Sequence, residues 1–289
     1  MLAGGYGGEL KTSMRESDKL SSGYFNESLA RGLRILRLFN SRRSELPLVE
    51  ITRLSGLNRA TTIRLLATLV QLGLLERDAG TRVYKPALGV LTLGYAALSS
   101  RDLYSVALPL LERLSQQTNE TVNMGVLLGH EVLYIVRIAR VELVKANVSV
   151  GSRLPAYCTS MGKVLLGFLS EQELSSTLEG VRFEKLGPNT ILNRADLIDE
   201  LRSVALSGFA IQDQEVSAGL RGVAAPIRDA SEQVVAAINI AVPATRVSRE
   251  EMLQRIRPLV IETAYQVSLE ARLSSIRTTI RGGLTTPLS

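Results

Sequence analysis

The sequence predicts an α+β chain in two units joined by a connector helix. The first unit is three helices closed by a short hairpin, and the second is a largely antiparallel sheet flanked by helices. Three observations lead there. Apolar residues recur at helical spacing through most of the first 117 positions, and alternation with a period of two begins only beyond them. The 289 residues, 45% hydrophobic and 21% charged, amount to roughly two domains with apolar material for real cores, which excludes wholesale disorder. Charge is also segregated: residues 26–86 hold 11 Lys/Arg against 5 Asp/Glu, which accounts for the whole formal net charge of +6.

The elements follow in order. Residues 1–25 are rich in Gly, Ser and charge without a period, and read as a flexible tail. Asn26 is a helix cap for a segment reaching about Asn40, with Leu29, Leu33, Leu36, Ile35 and Phe39 as its apolar stripe. Pro47 opens a short helix carrying Leu48, Ile51 and Leu54, and Ser55-Gly56-Leu57 turns the chain. Asn58 caps a third helix to about Leu72, which Gly73 stops. Two short strands flank Asp78-Ala79-Gly80, a turn by its chemistry. Three helices and a two-stranded wing make a winged helix-turn-helix over 26–86.

Residues 87–101 form the connector, an apolar helix with Leu88, Leu91, Leu93, Tyr95 and Leu98. The second unit spans 102–273. It starts with a helix from Asp102 to about Gln117, followed by strands at Val122–Leu128, Val132–Ile138 and Ala146–Val150. Helices are expected at about Ser160–Leu169, Glu171–Leu178 and Arg194–Ser207. Strands return at Phe209–Gln212, Gly222–Ile227 and Val234–Val242. Ser248 and Glu251 form a capping box for a last helix to about Leu273, bent at Pro258, and the tail 274–289 reads as frayed.

Composition narrows function. No apolar run reaches the ~18–20 residues of a membrane helix, since Val234–Val242 is short and broken by Asn239. The first ten residues lack a basic stretch followed by an apolar one, so no signal peptide is expected. A single cysteine, Cys158, fits a reducing cytoplasm, and with one histidine, His130, it cannot build a zinc cluster. No cofactor or metal is expected. The basic excess, mostly arginine, suits phosphates and guanine edges and so points to duplex DNA; the plainer reading is a solvated basic face, or a helical module for protein contacts.

On a helical wheel of the third helix, Ile63, Leu66, Ala67 and Val70 fall on the packed side, extended by Leu65, Leu69 and Leu72. The first turns then offer Arg59, Thr61, Thr62 and Arg64, beside the capping Asn58, to a major groove. Ser28, Arg31, Arg53, Arg77 and Arg82 are placed for phosphate contact, the last two in the wing. A connector apolar around much of its circumference predicts a homodimer at least, and two reading heads suit a palindromic site.

Enzyme readings find little support. Gly162-Lys163 lacks the flanking glycine and hydroxyl of a phosphate loop, since Tyr157 and Val164 stand there. Cys158 has no base nearby, His130 falls in a hairpin turn, and Asp213 with Glu215 reads as a solvated loop. Thr159, Ser160 and Met161 instead begin a helix whose free amides suit a carboxylate, with Met161 as an apolar wall. Asn239, polar in an apolar strand, either faces a ligand or caps a buried backbone group.

The runs SLARGLRILRLFN (28–40) and LPLVEITRLSGLNRATTIRLLATLVQLGLLERD (46–78) resemble the DNA-binding domain of IclR-type bacterial transcriptional regulators. RLPAYCTSMGKVLL (153–166), GFAIQDQEVSAGLRGVAAPIRD (208–229) and VVAAINIAVP (234–243) resemble that family's effector domain, over about 24–273 in all. The likeness implies a GAF/profilin-like effector domain and effector contacts at Ser160, Met161, Asp213, Gly222, Asn239 and Ala241. Where related regulators carry serines on the last strand, this sequence has Asn239 and Ala241. LPAYCTSMG and DQE…GLR resemble the branch that controls aromatic-acid catabolism. The implied protein is a cytoplasmic, ligand-responsive regulator, dimeric or tetrameric, that binds operator DNA and senses a small organic acid. The competing class is a metabolic or small-molecule-binding enzyme domain with an accessory DNA-binding module, which turnover of a candidate effector would reveal. A purely structural protein needs no ligand at all.

Overall fold

The computed structural model describes residues 25–40, 43–99, 102–140 and 148–283. Helix α1 (Glu27–Leu36) begins where the Asn26 carboxamide accepts the Leu29 amide, and it ends four residues before the expected Asn40. Helix α2 (Leu48–Ser55) follows Pro47 and closes on Gly56, whose φ of +68° is left-handed backbone that a glycine adopts without strain. In α3 (Arg59–Gln71) the Asn58 carboxamide accepts the Thr61 amide. Strands β2 (Leu75–Arg77) and β3 (Val83–Pro86) form the wing, and β1 (Leu46–Pro47) pairs with β3 as a third strand absent from the sequence reading. At two residues, one of them proline, β1 is too short to display alternation. Ile35, Leu46, Ile51, Leu66, Leu69, Leu75 and Tyr84 form this unit's core.

Helices α4 (Gly89–Ser99) and α5 (Asp102–Thr118) lead into the second unit. Its sheet comprises β4 (Thr121–Leu128), β5 (Glu131–Ile138), β6 (Arg153–Pro155), β7 (Ala210–Asp213), β8 (Leu220–Arg228) and β9 (Val234–Pro243). All neighbours are antiparallel in the order β6-β5-β4-β9-β8-β7. The expected strand at Ala146–Val150 is corrected: Val148–Val150 is loop and turn, residues 146 and 147 lie outside the described residues, and the edge strand is β6.

Two apolar layers sandwich the sheet. Leu111, Leu114, Val122, Met124, Ile238, Ile240 and Val242 pack with Val260 and Val267 on one face, under α5 and α10 (Arg257–Gly283). Val132, Tyr134, Ala224 and Ala237 pack on the other with α6 (Ser160–Gly167) and α8 (Arg194–Ser207). Strand β5 changes face part-way along. Gly125 pairs with Tyr134 but Met124 pairs with Val136, so Ile135 is an extra residue, a β-bulge. Val132 and Tyr134 accordingly point to the α6 face, whereas Val136 points to the α5/α10 face.

Helix α7 (Glu171–Thr177) follows α6, and α9 (Arg249–Glu251) opens the final helical run. The sequence reading expects this run to bend at Pro258. A π-turn at Met252–Ile256 comes just before it, where the proline's missing N–H already interrupts the ladder. The backbone of α10 continues to Gly283, where a frayed tail from residue 274 was expected. Among the described residues no helix is long and apolar enough to cross a membrane.

Helix α6 crosses the chain just before it at Gly162, where an added Cβ would collide with the Ala156 carbonyl and Cα. Because the obstacle is backbone, Gly162→Ala is expected to cost about 1–3 kcal/mol in urea unfolding. Gly94→Ala, with open space around its position, is expected to be neutral or stabilising. Equal effects of the two would contradict this packing.

Candidate functional site

Two candidate surfaces emerge, one on the helix-turn-helix and one on the α6 face of the sheet. On α3 the buried face is Thr62, Leu66 and Leu69. The exposed face is Arg59, Ala60, Ile63, Arg64, Ala67, Thr68 and Gln71, with Thr61 half-buried. This corrects the wheel at four positions, Leu72 among them, which was expected on the packed side and is 65% exposed. Thr62 is fully buried and cannot face a groove, because its hydroxyl donates to the Asn58 carbonyl at 3.0 Å and so enters the core with its polar group satisfied. Ile63 and Ala67, expected inside, face out. Asn58 is exposed and spends its side chain on the cap.

Ser28, Arg53, Arg77 and Arg82 are exposed, and Arg31 is half-buried. Arg31 donates to Glu27 and Arg53 to Glu50, so each would share its charge with a carboxylate. In the wing the Asp78 carboxylate accepts the Thr81 amide and hydroxyl and the Gly80 amide, which holds it below the ordinary carboxylate value. Arg82 sits in this turn with φ +56°, and Arg77 lies over the Tyr84 ring at 5.9 Å.

On the sheet, a small cleft opens at the start of α6. Thr159, Ser160, Asn239 and Ala241 line it, together with Asn123, Tyr134, Arg137 and Gln212; Val148, Leu154, Val216 and Leu220 supply apolar wall. The polar groups form one chain. Arg137, Asn123 and Asn239 are direct neighbours in the registers of β5, β4 and β9. Arg137 Nη1 donates to Asn123 Oδ1 at 3.1 Å, and Asn123 Nδ2 donates to Asn239 Oδ1 at 2.8 Å. Asn239 Nδ2 then donates to Ser160 Oγ at 3.3 Å. Asn239 therefore lines the cleft and caps no backbone group.

At the helix start the Thr159 hydroxyl accepts the Gly162 amide. The Thr159 amide is not free as expected, since it reaches the Ala156 carbonyl at 3.4 Å. Ser160 and Met161 are the first two residues of α6, so their amides have no carbonyl one turn back within the helix. Partial burial draws the Arg137 guanidinium below its ordinary value, and burial keeps the Tyr134 phenol protonated. The cleft is thus furnished chiefly with donors, which suits an anion.

Three sequence candidates sit elsewhere. Met161 is fully buried among core residues, beside Gly125, and does not line the cleft. Asp213 is held by Arg221 through two hydrogen bonds, at 2.9 and 3.1 Å. Gly222 packs behind the cleft, where an added Cβ would lie 3.2 Å from Ser160 Oγ. Asp213 and Glu215 are also not a solvated loop. Glu215 is buried, and its Oε1 accepts from Lys163 Nζ at 2.6 Å. Lys163 is itself buried, and Glu200 Oε1 and the Ile211 carbonyl satisfy its other donors. Burial pushes the Glu215 carboxyl up, against the pull of Lys163. The same element order that puts Lys163 one turn below Ser160 thus ties α6 to the loop carrying Val216.

Cys158 is buried, and burial pushes its thiol up to about 12, so it is no thiolate nucleophile. His130 is exposed in the β4–β5 turn. The sequence reading missed Asn123, Tyr134, Arg137 and Gln212. For Arg137 the available signal was the one that singled out Asn239, a polar residue inside an apolar strand.

Comparison with known proteins identifies the family. Residues 28–79 match the IclR helix-turn-helix domain, and residues 95–269 match the bacterial transcriptional regulator IclR C-terminal domain. The chain is 40% identical over 238 residues to the Pca regulon regulatory protein of Pseudomonas putida, covering 82% of this chain and 81% of that one. A transcriptional regulator from Rhodococcus sp. RHA1 has a similar structure, with TM-score 0.75 and 38% identity over 87% of this chain and 100% of that one. An IclR homolog from Microbacterium hydrocarbonoxydans, solved in complex with 4-hydroxybenzoate, gives TM-score 0.74 and 26% identity over 85% and 99% of the two chains. These relatives are regulators and not enzymes. The chain belongs to the IclR family of bacterial transcriptional regulators, with an IclR DNA-binding helix-turn-helix domain followed by an IclR C-terminal domain.

Proposed function

We propose that this regulator senses an aromatic carboxylate and controls a catabolic operon. The observation that carries the reading is the donor-lined cleft at the start of α6, bounded by apolar wall. A carboxylate there gains charge-assisted hydrogen bonds from the hydroxyl and amide of Ser160, at the start of α6. Val148, Leu154, Val216 and Leu220 cover the ring. The 4-hydroxybenzoate complex of one relative, and the regulon named for another, support the choice of acid. Ligand binding shifts the population of sensor arrangements and, through the connector, the placement of two reading heads.

Arg59 and Arg64 read bases, Ile63 and Ala67 offer apolar contact to thymine methyls, and Ser28, Arg77 and Arg82 meet phosphates. Leu88, Leu91 and Leu93 are 76%, 66% and 62% exposed, an apolar surface that a second copy covers.

The effector reading is tested by calorimetric titration with benzoate, 4-hydroxybenzoate and neutral benzamide. The acids are expected to bind and benzamide to bind at least about tenfold more weakly. Ser160→Trp fills the anion site and is expected to abolish acid binding while leaving ligand-free DNA binding intact. A parent that binds only neutral or cationic ligands, or a Trp variant that binds normally, overturns the reading.

On a duplex selected from a random pool, removing Arg59 or Arg64 is expected to cost about 1–3 kcal/mol. Removing Arg82 is expected to weaken all sequences alike and flatten the salt dependence. Variants that bind like the parent contradict the α3 assignment. Sedimentation is expected to give a dimer at micromolar concentration, and a monomer with and without operator contradicts the connector interface.

A further inference from the structure

We propose that Arg137 is the specificity-determining residue of the effector site, the cation that receives the effector's carboxylate. This assignment rests on the reading of the cleft as the effector site. Three independent features carry it: a re-aimed strand, an unclaimed guanidinium and a one-way hydrogen-bond chain.

The strand comes first. With strict alternation along β5, Arg137 would project from the face opposite Tyr134. The bulge at Ile135 reverses the alternation, so that Tyr134 and Arg137 both line the cleft. The same irregularity moves Val136 into the opposite core. Bulges re-aim side chains, and here the one re-aimed is a cation directed into a largely apolar layer.

The charge comes next. Other buried or half-buried cations of this domain are occupied, Lys163 by Glu215, Arg153 by Glu131 and Arg221 by Asp213, while Arg228 and Arg257 lie over the Phe168 and Phe209 rings. Arg137 has no acidic partner among the described residues, and its side chain makes a single hydrogen bond there, to Asn123. A half-buried guanidinium with its remaining donors at a cleft is a ready site for one carboxylate, which it can grip with two N–H groups.

The chain comes last. Arg137 donates to Asn123, which donates to Asn239, which donates to Ser160 Oγ. Each carboxamide is fixed in orientation by its neighbour. Ser160 thereby accepts from within the sheet, and its own O–H is left to donate into the cleft. Arg137 thus attracts the anion and, through two asparagines, sets the hydroxyl that meets it. Asn123 and Asn239 are positioning residues in this account.

The test compares 4-hydroxybenzoate with its neutral isostere 4-hydroxybenzamide by calorimetry on the full-length protein. Arg137→Gln is expected to weaken the acid by about a hundredfold or more while changing the amide by less than about threefold. Arg137→Lys, which keeps the charge and loses the fork, is expected to recover part of the acid affinity. Asn123→Ala is expected to give an intermediate loss for the acid, since the cation stays and the hydroxyl is released. Should Arg137→Gln fail to fold, Arg137→Lys carries the test, with about tenfold selective loss of the acid supporting the assignment. Equal binding of the acid by parent and Arg137 variants, or parallel losses for acid and amide, overturns it. A parent that binds no carboxylate overturns the effector reading and this assignment together, whereas a binding parent with indifferent variants overturns only the assignment.

Discussion

The sensor domain is organised around a buried polar row that only correct strand pairing can satisfy. Arg137, Asn123 and Asn239 sit side by side on β5, β4 and β9, within a layer otherwise built from groups such as Val132, Ala224 and Ala237. Burying a carboxamide without a partner costs more than a typical hydrogen bond contributes, so each member of the row is tolerable only because the next one is present. A slip of one residue between β4 and β9 would send Asn239 to the opposite face and leave Asn123 unpaired. The row therefore pins the register of the central strands, and those strands in turn place Ser160's partner. In the proposed reading, structure and recognition are specified by the same few atoms.

Around that row the frame is braced at the start of α6. Lys163, one turn beyond Ser160, is buried with three acceptors, from Glu200, Ile211 and Glu215. Those acceptors lie on α8, on β7 and in the loop after β7, so one ammonium holds three elements against α6. The loop is fastened again by the Thr190 hydroxyl, which donates to the Glu215 carbonyl, and by Asn189, which donates to the Asp213 carbonyl. Removing one partner from such a buried pair leaves an uncompensated charge, so these groups stand or fall together. An anchored α6 start holds Ser160 in place, the preorganisation that the proposed anion site requires.

Much of this was legible in the sequence, and the failures have physical causes. Helix starts were readable because Asn26, Asn58 and Ser248 signal caps chemically, and each accepts the amide three residues on. The central strands were readable as short apolar runs bounded by turns, and Asn239 stood out because it interrupts one of them. Arg137 did not stand out as a site residue, since period-two logic places it opposite Tyr134 and no local signal announces the bulge at Ile135. Thr62 was assigned to the wrong side of α3 because a wheel treats threonine as polar, whereas its hydroxyl is consumed by the Asn58 carbonyl. Asp213 and Glu215 looked solvated because their partners Arg221 and Lys163 lie 8 and 52 residues away. Ion pairs of that range belong to tertiary structure, and a local reading has no access to them.

The most direct measurement is a crystal structure of this protein with 4-hydroxybenzoate. The account predicts the carboxylate in the cleft, its oxygens at hydrogen-bond distances of about 2.7–3.2 Å from the Arg137 guanidinium and the Ser160 hydroxyl. It predicts the ring against Leu154, Val216 and Leu220, with the Asn123–Asn239 pair unchanged. A ligand seated away from the polar row, or one that presents its hydroxyl to Arg137 and turns its carboxylate to solvent, would contradict it.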